Sequence, residues 1–162
     1  MNSKLYWFLN SLILIIPLLM DRVSKQLIVN GKLACQPVND YLYFDLIYNR
    51  GISWGMLNSE NNLIFFLVTL LVTTITVFLI WHTWQKIQQN QIVIGEILVL
   101  SGAISNIMDR VIYKGVVDFI IFSCNGWSWP AFNIADFSIV IGAVIMFITS
   151  IWEKPEQPII KI

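Results

Sequence analysis

Leu63–Trp84 reads LIFFLVTLLVTTITVFLIWHTW, an unbroken run with no acid, lysine or arginine. A helix needs roughly 20 mainly apolar residues to cross about 30 Å of hydrocarbon, and this run is long enough. A barrel strand would alternate apolar and polar residues with period two, and this run does not. In lipid the backbone has no other partners, so a spanning segment of this kind must be a helix. Three further runs sit around it at roughly 6–28, 92–111 and 129–152. Four transmembrane helices in one integral-membrane domain, residues 1–162, is the expected fold.

The composition agrees. The chain is 57% hydrophobic and 12% charged, with mean hydropathy +0.70. A soluble domain is about 25% charged. Net charge is zero, so nothing electrostatic favours nucleic acid. The two cysteines, Cys35 and Cys124, allow at most one disulfide and make no metal-ligand pattern. The apolar N-terminal run precedes Cys35, but Asp21, Arg22, Lys25 and Lys32 intervene and no small-residue cleavage site follows the run. It is read as a retained anchor. Trp127, Trp129 and Trp152 suit interfacial belts. Pro130 suits the first turn of the fourth helix, with Ser128 as its cap.

Four spans put both termini on one side and two longer segments, about 30–62 and 112–128, on the other. Lys4, Lys86, Lys154 and Lys161 fall on the terminal side; Arg22, Lys25, Lys32, Arg50, Arg110 and Lys114 fall on the loop side. That bias alone would make the loops cytoplasmic. Four of the loop-side cations neighbour acids or amides, however, and are candidate site residues instead. Residues 41–48 are rich in strand formers and lead into the turn-like Asn49-Arg50-Gly51. With the apolar stretch 52–57 they suggest a small surface sheet.

Polar residues gather at one boundary. Gly102, Asn106, Asp109 and Arg110 share a face of the third helix, with Ser101 and Ser105 beside it. Asn133 and Asp136 share a face of the fourth, and Asp21 and Lys25 are an i, i+4 pair ending the first. The last pair also suits a plain helix-end ion pair, and Asp109 reads as structural support. Thr69, Thr73 and Thr76 read as interhelical hydrogen-bonding groups, and His82 as a solvated helix-end residue. Glu96 stands apart, near the opposite interface.

A carboxylate at membrane depth costs roughly 2.5–3.5 kcal/mol even on lenient scales, so Asp136, two turns inside its run, calls for a function. Asp118, in Val116-Val117-Asp118-Phe119, is the second candidate; alone it also suits an exposed loop acid. No histidine lies on that side to build a serine triad, and no Cys/His cluster suggests zinc. If the two aspartates meet, one keeps its proton while the other acts as a base, which is enough for water-mediated peptide hydrolysis. A proton-coupled membrane protein would also use intramembrane acids, but at several depths. A non-enzymatic scaffold would not need the two to converge.

Across nearly its whole length the chain resembles the lipoprotein signal peptidases, or type II signal peptidases, of bacteria. The likeness rests on Asp21-x-x-x-Lys25, on Asn49-Arg50-Gly51-Ile52-Ser53-Trp54-Gly55 and on the stretch Gly102–Arg110. It continues in Val116–Phe119 and in Phe132-Asn133-Ile134-Ala135-Asp136. The third-helix motif departs from the usual Gly-Gly-Ala-x-Gly-Asn, with Ser101 and Ser105 in two glycine positions. The resemblance implies an aspartic endopeptidase of the inner membrane with no cofactor. Its substrates would be diacylglyceryl-modified prolipoproteins, cut just before the lipidated cysteine, with membrane lipid as the other partner. It implies Asp118 and Asp136 as the catalytic pair, and Asp21, Lys25, Asn49, Gly51, Asn106, Arg110 and Asn133 as supporting or substrate-contacting residues. It also implies cytoplasmic termini, a site near the outer leaflet and a β-rich cradle on the outer surface, against the lysine and arginine count.

Overall fold

The computed structural model describes residues 3–32, 36–52 and 56–152. Four long helices dominate: α1 (Ser3–Val29), α2 (Asn62–Gln88), α3 (Ile94–Tyr113) and α4 (Ile134–Trp152). Among the described residues, α2 and α4 are long and apolar enough to cross a membrane. Four short strands join them among the described residues: β1 (Gln36–Pro37), β2 (Leu42–Asn49), β3 (Val116–Cys124) and β4 (Trp127–Ser128). They pair antiparallel in the order β1-β2-β3-β4.

The helical part is built inside out. Leu67, Leu71, Phe78 and Trp81 of α2 and Val140, Val144 and Phe147 of α4 face outward, while Asp21, Lys25, Asp109 and Asn133 are wholly buried. That distribution suits a chain whose surroundings are apolar and whose polar groups satisfy one another. Helix α3 is the centre, with α1, α2 and α4 packed around it. A Cβ on Gly102 would lie 2.3 Å from the Ala135 carbonyl oxygen, and one on Gly142 would lie 2.6 Å from that of Gly95. Helices α3 and α4 therefore meet backbone to backbone, which small residues permit.

Several expectations need correction. Helix α4 starts at Ile134, not near Pro130. Trp127 and Ser128 pair with β3, Trp129 donates to the Phe122 carbonyl and Phe132 bridges Ile120, so the chain runs beside β3 before the helix begins. Asp136 therefore lies in the first turn of α4, not two turns inside. Asn133 precedes the helix and does not share a face of it. The partner of β2 is β3, not the stretch 52–57, of which residues 53–55 lie outside the described ones. Thr69, Thr73 and Thr76 donate to carbonyls of their own helix at Phe65, Thr69 and Val72, because a hydroxyl one turn above a carbonyl reaches it locally. Glu96 is buried and accepts from Lys86 Nζ at 2.9 Å, tying α3 to α2. His82 is half-buried, not solvated. Cys124 is exposed, and Cys35 lies outside the described residues.

Candidate active site

Asn133 is the hinge of the site. Its Oδ1 accepts the Asp136 amide at 2.9 Å, and its own amide donates to Asp136 Oδ2 at 3.2 Å. This is a reciprocal capping box that closes the open N-terminal turn of α4. Its Nδ2 is left to donate to Asp118 Oδ1 at 2.7 Å and to the Val117 carbonyl at 3.2 Å. One buried asparagine thus binds both aspartates.

Asp118 stands on β3 opposite Ile47 of β2. Asn49 is two residues beyond Ile47, so it projects from the same face, and its Nδ2 donates to Asp118 Oδ2 at 3.0 Å. A bulge between Phe44 and Ile47 shifts the register that brings these side chains together. Burial pushes the Asp118 carboxyl up from 3.8 to about 7, and the negative charge of Asp136 adds to the rise. The amides of Asn49 and Asn133 and the Lys25 ammonium oppose it.

Beneath the pair lies a buried ion cluster. Lys25 Nζ reaches Asp21 Oδ2 at 2.6 Å, Asp109 Oδ2 at 2.7 Å and Asn106 Oδ1 at 2.8 Å. An ammonium has three protons, so all are used. Because Lys25 takes Oδ1 of Asn106, the amide nitrogen must face the other way, and it donates to Asp136 Oδ1 at 2.9 Å. Arg22 bonds Asp109, whose Oδ2 also accepts the Val117 amide at 3.2 Å. Asp21 Oδ1 accepts the Ala135 amide at 2.8 Å, and Ser105 Oγ donates to Asp21 Oδ2 at 2.6 Å. Two carboxylates and two cations balance, which keeps their burial tolerable.

On the other side, Arg110 donates to the carbonyls of Arg50 and Gly51. The Gly51 amide donates to Asn49 Oδ1 at 2.9 Å. A Cβ on Gly51 would lie 2.2 Å from the Met56 carbonyl oxygen, so only glycine fits this turn. Asp118, Asp136, Asn49, Asn106 and Arg110 line one side of a cavity of about 460 Å³. Val72, Trp129, Phe137 and Val140 supply apolar lining. Each oxygen of the two carboxyls accepts one protein hydrogen bond, leaving lone pairs for a water. Among the described residues no group of three or more His, Cys, Asp or Glu is placed to hold a metal ion.

All nine residues singled out from the sequence therefore join one network: Asp118, Asp136, Asp21, Lys25, Asn49, Gly51, Asn106, Arg110 and Asn133. Asp109 supports the backbone of β3. The hydroxyls of Ser101 and Ser105, read only as small packing groups, instead bond α1. Their i, i+4 spacing beside the polar stripe was the available signal.

Known proteins resemble this chain over most of its length. A family model described as signal peptidase (SPase) II matches residues 13–152. The lipoprotein signal peptidase of Janthinobacterium sp. (strain Marseille) is 34% identical over 148 residues, spanning 89% of this chain and 87% of its own. That of Polynucleobacter necessarius subsp. necessarius (strain STIR1) is 34% identical over 136 residues, spanning 83% of each. Two solved structures, each described as a bacterial membrane enzyme, share the fold. One has a TM-score of 0.71 at 24% identity, covering 91% of this chain and 93% of its own. The other has a TM-score of 0.66 at 25% identity, covering 90% and 94%.

Proposed function

Since this chain belongs to the signal peptidase II family, we propose that it is an aspartic endopeptidase of the bacterial inner membrane. It removes signal peptides from diacylglyceryl-modified prolipoproteins, cutting before the lipidated cysteine. Its four helices all span the bilayer as one domain, with both termini cytoplasmic. The β-strands form a cradle on the outer surface, and the site lies near the outer leaflet. The observation that carries this reading is the pair of carboxyls, from different elements, bridged by Asn133 and lining one cavity.

The chemistry follows from the shared proton. Like charges at close range do not both ionise easily. Burial pushes the Asp118 carboxyl up to about 7, which favours it as the holder of the shared proton. Asp136 takes a proton from water, and the resulting hydroxide adds to the scissile carbonyl carbon. Asp118 protonates the carbonyl oxygen. In the second half, Asp136 gives its proton to the leaving nitrogen, Asp118 takes a proton back from a hydroxyl of the tetrahedral diol, and the C–N bond breaks as the carbonyl re-forms. No covalent enzyme intermediate forms. The apolar side of the cavity suits a signal helix and acyl chains that stay in lipid, where each buried methylene contributes about 0.8 kcal/mol.

The test is reconstitution with a lipidated prolipoprotein. Wild type converts it; Asp118→Asn and Asp136→Asn each lose activity by about 10²–10⁴-fold, the usual worth of a positioned acid or base. Full conversion by either variant defeats the proposal.

A further inference from the structure

The reaction needs Asp136 to be placed accurately. Asn106 of α3 holds its carboxyl, and three further contacts fix the turn that carries it. Two are local: the capping bonds from Asn133. The third comes from another helix. Asp21 of α1 sends its Oδ1 to the Ala135 amide, one residue before Asp136. A carboxylate that must aim one oxygen at a single amide needs its other oxygen held. Two groups hold it: Lys25 Nζ at 2.6 Å and Ser105 Oγ at 2.6 Å. Lys25 lies on α1 like Asp21, and its other two bonds go to Asp109 and Asn106 of α3. Ser105 approaches from α3, the helix against which α4 is packed. The serine hydroxyl is the α3 group that bonds the Asp21 carboxylate directly. Both Ser105 and Asp21 are wholly buried, so no solvent competes for this bond.

We propose that Ser105 is a positioning residue for peptide cleavage, acting from α3 through the Asp21 carboxylate on the Ala135 amide to set the Asp136 turn. The inference rests on the proposed peptidase activity only for its kinetic consequence. Ser101 provides the control. It lies one turn away on the same helix face and is equally buried, and its hydroxyl donates at 2.9 Å to the Leu14 carbonyl of α1. It ties the same two helices without touching a carboxylate.

The experiment compares Ser105→Ala with Ser101→Ala in the full-length protein reconstituted in lipid. Two readouts are taken: hydrogen exchange at the Ala135 and Asp136 amides, and kcat and KM on a lipidated prolipoprotein. Ser105→Ala is expected to speed exchange at Ala135 and to lower kcat about tenfold with KM unchanged, since small misplacements near the chemistry are costly. Ser101→Ala is expected to lower Tm comparably while leaving kcat and the Ala135 exchange rate as in wild type. Unchanged Ala135 exchange in Ser105→Ala, or equal kcat losses in the two variants, overturns the inference. If wild type itself fails to cut the substrate, the peptidase reading falls, and amide exchange still decides the positioning role.

Discussion

At the scale of single residues, the site depends on amides as much as on acids. Asn133 meets Asp118, Asp136, Val117 and Asn106 from one buried side chain and its own backbone. Replacing it with alanine removes the cap of α4, which costs about 1 kcal/mol. It also frees Asp118 from Asp136. Asn133→Ala is therefore expected to fold with a lower Tm and to lose most activity, and a cleavage assay beside a melting curve checks both. The pH dependence has a definite sign. The Asp118 carboxyl is raised from 3.8 to about 7 in the folded protein. The unfolded chain gives up this proton near 3.8 and the folded one only near 7. The stabilising contribution is full below 3.8 and is lost as pH rises to about 7. Under the proposed mechanism, cleavage is expected to decline over the same upper limit, as Asp118 loses the proton assigned to it. A rate profile with an alkaline limb near pH 7, absent from binding, is the expected result.

At the scale of elements, α3 does most of the arranging. Its small residues bring α4 close, and its polar stripe receives α1 on one side and the Gly51 loop on the other. Gly102→Leu places a side chain where the Ala135 backbone lies. Overpacking of this kind costs about 1–3 kcal/mol. The variant is expected to melt earlier and to lose activity out of proportion, because the displaced segment carries Asp136. Element types were readable where apolar runs were long, as in α2. They were misread where a run was short. Residues 116–124 read in the sequence only as part of the loop-side segment 112–128, although the turn Asn125-Gly126, with both residues at positive φ, marks a hairpin. Its strand carries Asp118, so that residue looked like an exposed acid when its exposure is only 2%. The apolar run at 129–152 hid a change from strand to helix, since both are apolar there. The capping box at Asn133 was the legible boundary.

At the scale of the whole molecule, the proposed orientation sets the sheet and the cavity on the outer side. Cys124 is exposed at the end of β3. In a Cys35→Ser background, a membrane-impermeant thiol reagent added outside spheroplasts is expected to label Cys124 without permeabilisation. Labelling only after permeabilisation inverts the orientation. The order of residues alone establishes that this chain contains membrane-length apolar helices, which residues are polar among them, and to which family it belongs. Those follow from composition, run length and motif order, all local in the chain. Folding in three dimensions is what makes Asn133 bridge the aspartates, Lys25 set the Asn106 amide and Ser105 touch Asp21. Those contacts join helices and strands as many as 114 residues apart, as between Asp21 and Ala135. No local pattern encodes them, because the packing distance between α3 and its neighbours sets which polar atoms come within reach.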